Sequence, residues 1–476
     1  MAEPIKRIHL TAACGTGMGT LACILKEMGY TVTGSDQNVY PPMSDFLEEN
    51  GIRLFSGFDP GNLGPDPGPD LVIIGNAVSR DNPEAAAVMD RGLPYMSMPQ
   101  AVNRFIAGDK KIILVTGTHG KTTTCSIMAH ILETAGCSPS FMVGGILKDF
   151  NSSFKIGTGE YMVIEGDEYD TAFFDKGPKF MHYDPYVTIM TGIEFDHADI
   201  FRDLEHICGK FGELARKIMA DSRIIACREN PTLLRVLTES GADAETYGDE
   251  GADWRIADSG LNNTRGTAPL TKNLTKARIT GPDTEISFET PLQGRHNLLN
   301  ATACIAAARR IGISQEDIAR ALAGFSGVKR RQEVRGIARG ITVMDDFAHH
   351  PSAVRETISA VKPFYPDGRV VAVFEPRTNT SMRNIFQETY PGSFEAADMV
   401  CICSPGVKKN IPEDQRFSPG RLASDIGALG IPARHFENPD QIIDFLVPEL
   451  RENDLVLIMS NGGFGNIHQR LLERLD

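Results

Sequence analysis

The stretch Lys111-Ile-Ile-Leu-Val-Thr-Gly-Thr-His-Gly-Lys-Thr-Thr-Thr124 runs an apolar strand straight into a glycine-bounded turn and on into a helical pattern. Buried strand, turn and helix in that order predict a parallel α/β sheet. Within Gly117-Thr-His-Gly-Lys-Thr122, glycine lets the backbone approach an anion without a Cβ clash, and the N–H groups opening the helix point at it. Lys121 is placed to meet terminal phosphates and the Thr122 hydroxyl to ligate Mg²⁺, with Gly117, Thr118, Gly120 and Thr123 completing the cradle. The spacing departs from the standard phosphate-binding loop, because Val115 stands where its first glycine would be. A plain Gly-rich turn is the bland alternative, but it leaves the lysine and three threonines without a task.

Two acidic clusters follow apolar runs in the same block: Glu165-Gly-Asp-Glu-Tyr-Asp170 and Glu194-Phe-Asp-His-Ala-Asp199. Alone, each reads as a solvated loop. Sharing a position beyond strands with Lys121, they predict a nucleotide–metal site in which Thr122, Glu165 and His197 are the candidate ligands. Asn297 and Asn300 flank a helix start after Gly294-Arg-His296, where simple N-capping is the alternative. Arg331 lies in an interdomain segment, and Asp346 ends an apolar run.

Working outward gives three strand-rich blocks, expected as units 1–109, 110–327 and 328–476. In the first, Ile8–Ala12, a helical pattern to Met28 and Thr31–Gly34 form a βαβ opening around Gly15-Thr16-Gly17-Met18-Gly19. That turn, with Ser35, Asp36 and Asn76 at strand ends, and with His119, is expected to hold a nucleotide-sugar diphosphate. A dinucleotide-dependent dehydrogenase is the rival, yet it would leave Lys121 and the acidic clusters idle. The segment 243–291 reads as hairpins decorating the second block. In the third, strands at Ile341–Met344, Val370–Phe374, Met399–Cys403 and Leu455–Met459 end in polar residues. Open parallel sheets bind ligands beyond those carboxyl ends, which makes His349, His350, Glu375, Arg377, Asn379, Arg383, Ser460 and Asn461 the substrate-site candidates of this block.

The 476 residues, 41% hydrophobic and 23% charged, suit several soluble domains. A net charge of −14 argues against nucleic-acid partners. No apolar stretch approaches the ~20 residues that cross a bilayer. Nine scattered cysteines read as reduced thiols, Cys401 and Cys403 among them as core, and the expected location is cytoplasmic.

With these residues assembled, the chain resembles the Mur ligase family. The Thr116–Thr123 loop, Glu165, His197, Asn297 with Asn300, Arg331 and Asp346 stand in family order over essentially the whole chain. The resemblance implies a three-domain architecture, with Rossmann-like outer domains and a central P-loop-type ATPase domain. It further implies ATP and Mg²⁺ as cofactors and an amide bond made through an acyl phosphate, with Lys121, Glu165, His197, Arg331 and Asp346 catalytic. ATP would be held by the loop with Asn297, Asn300, Arg331 and Asp346. Gly15–Ala22 and Asp345–Pro351 look like the muramate-acting branch, so UDP-N-acetylmuramate is the implied carboxylate substrate. Val39–Ser44, Asp167–Lys176 and Ser460–Gly465 favour the tripeptide L-alanyl-γ-D-glutamyl-meso-diaminopimelate as amine, in cell-wall recycling. L-Alanine, in synthesis, is the alternative, and a catalytically idle UDP-sugar sensor is the reading from another class. The family's metal-bridging lysine has no counterpart, since Gly212 holds that place and Lys210 is out of register. Gln332 follows Arg331 where an aromatic is commoner.

Overall fold

The computed structural model describes residues 4–39, 43–198, 200–218, 223–262, 274–406 and 411–476. Asp199 and residues 40–42, which fall in two of the quoted motifs, lie outside them. The chain builds three principal sheets. The first is five parallel strands in the order Arg53–Ser56, Thr31–Asp36, Arg7–Thr11, Leu71–Ile74, Tyr95–Ser97. The chain reverses direction between Arg7–Thr11 and Leu71–Ile74, which opens a crevice at their carboxyl ends. Helix Thr16–Glu27 begins there.

In the ten-stranded central sheet, Lys111–Thr116 lies between Pro185–Met190 and Tyr161–Gly166, all parallel. Its residues Ile112–Val115 are buried on both faces, which is why the sequence shows an apolar run rather than alternation. Register sets Val115 beside Glu165 and Thr116 beside Met190. The phosphate-type loop and both acidic clusters therefore leave the sheet at one edge. Segment 243–291 does not decorate this sheet but extends it: Ala244–Gly248 pairs parallel with Arg223–Cys227, Trp254–Asn262 parallel with Ala244–Gly248, and Leu274–Gly281 and Thr284–Thr290 follow antiparallel.

The third sheet has six strands, ordered Glu333–Ala338, Ile341–Asp346, Leu455–Met459, Val370–Phe374, Met399–Cys403, Ala433–Phe436; only the first is antiparallel. Cys401 and Cys403 lie buried within it, as core thiols. Among the described residues, no helix is long and apolar enough to cross a membrane.

Packing joins the three sheets unequally. One continuous apolar cluster runs from Leu10 and Leu21 to Ile113 and Val163, uniting the first sheet with the central one. Phe173 and Phe174, from the 170–178 hairpin, pack on the first sheet's other cluster, and Phe174 meets Tyr95 edge-on at 4.9 Å. The third sheet has its own clusters on its two faces. Its contact with the central unit is polar. Ser352 Oγ donates to Glu194 (2.6 Å), Ala198 N to Thr380 Oγ1 (3.2 Å) and His350 Nε2 to the Phe195 carbonyl (3.2 Å).

Replacing Phe173 and Phe174 together by alanine should therefore loosen the first unit. Each ring contributes about 1–2 kcal/mol of docking, so calorimetry is expected to resolve a separate low-temperature transition in the double variant where the parent shows none.

Candidate active site

The Gly117–Gly120 turn is fixed by left-handed backbone at both glycines (φ 130° and 80°), where an L side chain would be strained. A Cβ on Gly120 would also lie 2.7 Å from Asn300 Oδ1. Gly120 caps the helix Lys121–Thr134. Lys121 is turned back over the loop, donating to the Gly117 carbonyl (2.7 Å) and to Glu168 Oε2 (2.9 Å). Burial alone would push this ammonium's pKa down, but Glu168, Asp167 and Glu165 outweigh it and raise it. It stays charged.

Thr122 Oγ1 donates to Glu165 Oε2 at 3.2 Å, and the Gly144 N–H to Glu165 Oε1 at 2.6 Å. Burial, reinforced by Asp167, pushes Glu165 upward. His197 does not join that pair. Its Nε2 lies 3.5 Å from Glu168 Oε1, and Glu168, against the cost of burial, is held down by Lys121 and His197. Glu168 is thus the central anion of the cluster, although the sequence offered no way to single it out from its acidic neighbours. Asp167, despite burial, is drawn to about 2 by Lys179 and Lys121. Lys210 pairs with Glu213 along its own helix.

A cavity of about 400 Å³ opens between the central and third units. Thr118, Gly120 and Thr123 line it from the loop side, and Asn297, Asn300, Arg331 and Asp346 from the others. Asn297 and Asn300 are not caps: they lie inside helix Arg295–Arg310, whose N-cap is Gly294. Arg331 stacks over Phe347 (4.7 Å), and Asp346 accepts from the Gln332 and Ala348 N–H groups, both at 2.8 Å. His119 also lines this cavity, with its ring centroid 4.5 Å from that of His350. His119, Glu194 and His350 form the one metal-like trio among the described residues. Both His350 ring nitrogens are nevertheless engaged: Nδ1 accepts from the Ser352 N–H (3.3 Å) while Nε2 donates to Phe195. The trio is an interdomain contact.

At the first sheet's crevice, Gly15 caps helix Thr16–Glu27, Gly15 and Thr16 are exposed, and Gly17, Met18 and Gly19 turn inward. Asp36 accepts from the Cys14 N–H (2.9 Å), and Asn76 is exposed. The Ser35 hydroxyl is spent on buried Glu84 (2.6 Å), which also binds His9 (2.6 Å), a network the sequence reading missed. On the third sheet, Ser460 Oγ donates to Glu375 (2.5 Å) and Arg377 lies 3.6 Å from the same carboxylate. Gly462 makes room for Arg377, since a Cβ there would strike its side chain. Arg383 bonds Gln415 at 3.0 Å instead, so it stands with the 411–416 segment. His349 donates to the Phe347 carbonyl (3.0 Å), while Asn379 and Asn461 are half-buried.

Burial, with His119 adding to it, takes His350 down to about 4. The unfolded chain binds this proton near pH 6.5 and the native chain does not. The stabilising contribution is therefore present at neutral pH and lost as pH falls from about 6.5 to 4. Denaturation midpoints of the parent and of His350→Gln should converge between pH 7 and pH 5, by about 1–2 kcal/mol. A constant gap would refute the neutral, engaged imidazole.

Residues 7–110 match the Mur ligase family catalytic domain, 115–308 the Mur ligase middle domain and 330–462 the Mur ligase glutamate ligase domain. The UDP-N-acetylmuramate-L-alanyl-gamma-D-glutamyl-meso-2,6-diaminoheptandioate ligase of Escherichia coli is 40% identical over 98% of both chains. A UDP-N-acetylmuramate-L-alanine ligase from Desulforamulus reducens is 32% identical over 99% of this chain and 98% of its own. The crystal structure of a murein peptide ligase from Psychrobacter arcticus superimposes with a TM-score of 0.71 at 34% identity, covering 99% of each chain. With three matching domains in order and full-length relatives well above 30% identity, the chain belongs to the Mur ligase family of ATP-dependent, amide-forming ligases.

Proposed function

We propose that this enzyme joins the α-amine of L-alanyl-γ-D-glutamyl-meso-diaminopimelate to the lactyl carboxylate of UDP-N-acetylmuramate, in cell-wall recycling in the cytoplasm. The observation that carries the ligase chemistry is the largely enclosed Lys121 ammonium, at one sheet edge with Thr122 and Glu165 and beside a cavity closed by the third unit. The tripeptide is supported by the relative from Escherichia coli, more similar than the L-alanine ligase from Desulforamulus reducens. Residues 1–109 would hold the UDP-sugar at Gly15–Gly19, 110–327 ATP, and 328–476 the amine. L-Alanine as amine is the second reading.

The muramate carboxylate attacks the γ-phosphorus of ATP, ADP departs, and an acyl phosphate forms. Lys121, swung from Glu168 to the phosphate oxygens, stabilises charge in that transfer. The peptide amine then attacks the acyl carbon, phosphate leaves, and the nitrogen gives up its proton as the amide forms. Glu165 is a half-buried carboxylate whose hydrogen-bond donors are neutral, a hydroxyl and an amide, which fits a divalent cation held with Thr122. Mg²⁺ bound there would neutralise charge on the β- and γ-phosphate oxygens. His197, through Glu168, orients Lys121. Asn297, Asn300, Arg331 and Asp346 hold the nucleotide across the seam. Arg377, between Glu375 and Gly462, offers a guanidinium to a carboxylate of the peptide.

Phosphate release with UDP-N-acetylmuramate, ATP and Mg²⁺ is expected with the tripeptide and not with L-alanine. Turnover with L-alanine alone would reverse the substrate assignment, and silence with both would favour a UDP-sugar sensor. Lys121→Ala should lower kcat by roughly three orders of magnitude and leave UDP-sugar affinity, read by calorimetry, unchanged. An active variant would sink the phosphate role.

A further inference from the structure

A line of carboxamides crosses from the phosphate-type loop to the third unit. Asn300 packs against Gly120, its Oδ1 only 2.7 Å from where a Cβ would be. Asn300 Nδ2 donates to Asn297 Oδ1 (3.4 Å), and Asn297 Nδ2 to Gln332 Oε1 (3.3 Å). The Gln332 N–H then donates to Asp346 Oδ2 (2.8 Å). The direction of the line is fixed at Asn297. Its Nδ2 also donates to the Gln293 carbonyl at 2.9 Å, which cannot donate in return, so the Gln332 oxygen must face Asn297. That leaves Gln332 Nε2 enclosed without a hydrogen-bond partner, in a residue that lines the cavity and is held at a left-handed φ of 46°.

An enclosed donor with no partner costs about 1–3 kcal/mol, and solvent does not reach this one. Because Gln332 lines the cavity, a small rotation of its side chain would carry Nε2 to an acceptor that arrives there. We infer that Gln332 donates its Nε2–H to the ribose or base of the bound nucleotide and, through Asp346, couples nucleotide occupancy to docking of the third unit. This rests on the reading of the cavity as the ATP site. The ribose or base is favoured over the phosphates because Gln332 is the third member of the line, beyond Asn300 and Asn297, whereas Asn300 touches the phosphate loop.

Titration calorimetry with ADP and with pyrophosphate, each with Mg²⁺, tests it on the parent, Gln332→Met and Gln332→Glu. Loss of one hydrogen bond predicts ADP binding about three- to tenfold weaker in Gln332→Met, pyrophosphate and UDP-sugar binding within twofold, and a rise in the amine KM at limiting ATP. Gln332→Glu, which replaces a donor by an anion, should lose more. Native ADP affinity in Gln332→Met overturns the inference while leaving the ATP site standing. Equal losses for ADP and pyrophosphate overturn the ribose or base assignment. A lowered thermal midpoint with uniform loss for every ligand marks a merely structural residue and overturns the coupling. If the parent binds no ADP at all, the underlying ATP reading has failed instead.

Discussion

The structure around the site depends on a single burial problem: the Lys121 ammonium is enclosed at the edge of the central sheet, and an enclosed charge is stable only with partners. The Gly117 carbonyl and Glu168 supply them. Glu168 in turn requires His197, and Lys179 answers Asp167. These charges come from the carboxyl ends of adjacent strands, so the parallel order of Tyr161–Gly166, Lys111–Thr116 and Pro185–Met190 is what makes the pairing possible. Antiparallel pairing would send alternate loops to the opposite edge. In the proposed phosphate role, binding would exchange one anion beside Lys121 for another at little electrostatic cost.

The difference between the two interdomain contacts follows from the same economy. The first and central units share an apolar core that, once formed, resists opening. The third meets the central unit through hydrogen bonds such as Glu194 to Ser352 and His350 to Phe195. In the open state water can replace each of those bonds, so breaking them costs little net free energy. The proposed division of ATP and amine between two units calls for a seam of this weaker kind. The left-handed backbone at Arg330 and Gln332 gives the connecting segment a sharp local path between the two sheets.

Long-range order along the chain was legible because buried parallel strands write themselves as apolar runs. The apolar run from Lys111, Ile341–Met344 and Val370–Phe374 are recovered as strands for that reason, and the loop beyond the first carries glycines whose positive φ values have a steric cause. Short or half-exposed strands were not read. Arg53–Ser56 has no fully buried residue and Glu333–Ala338 only one, so burial leaves little pattern in either. For Asn297 and Asn300 the sequence left simple N-capping open as the alternative because Asn favours caps, yet both lie inside a helix, where their amides pair with each other and Gln332. His119, grouped from the sequence with the first unit's ligand, lines the cavity, and its ring lies 4.5 Å from that of His350, a contact between residues far apart in the chain. Partner choice within an acidic cluster, such as His197 with Glu168 rather than Glu165, is set by ångström differences that spacing does not encode.

Net charge closes the physical picture. At −14 the molecule repels polyanions such as ATP and a UDP-sugar at long range, and that repulsion fades over about 8 Å at physiological ionic strength. Binding therefore cannot depend on a broad positive field, in contrast to nucleic-acid-binding proteins. Short-range donors that act only on contact are at hand for the proposed sites: backbone N–H groups opening the helices Thr16–Glu27 and Lys121–Thr134, the largely enclosed Lys121, and Arg331 at the seam. Helix N-termini suit this task because their partial charge is fixed in direction and needs no counter-ion when empty. The acidic exterior and the anion-binding interior are thus compatible: positive potential is confined to places where a correctly shaped phosphate can reach it.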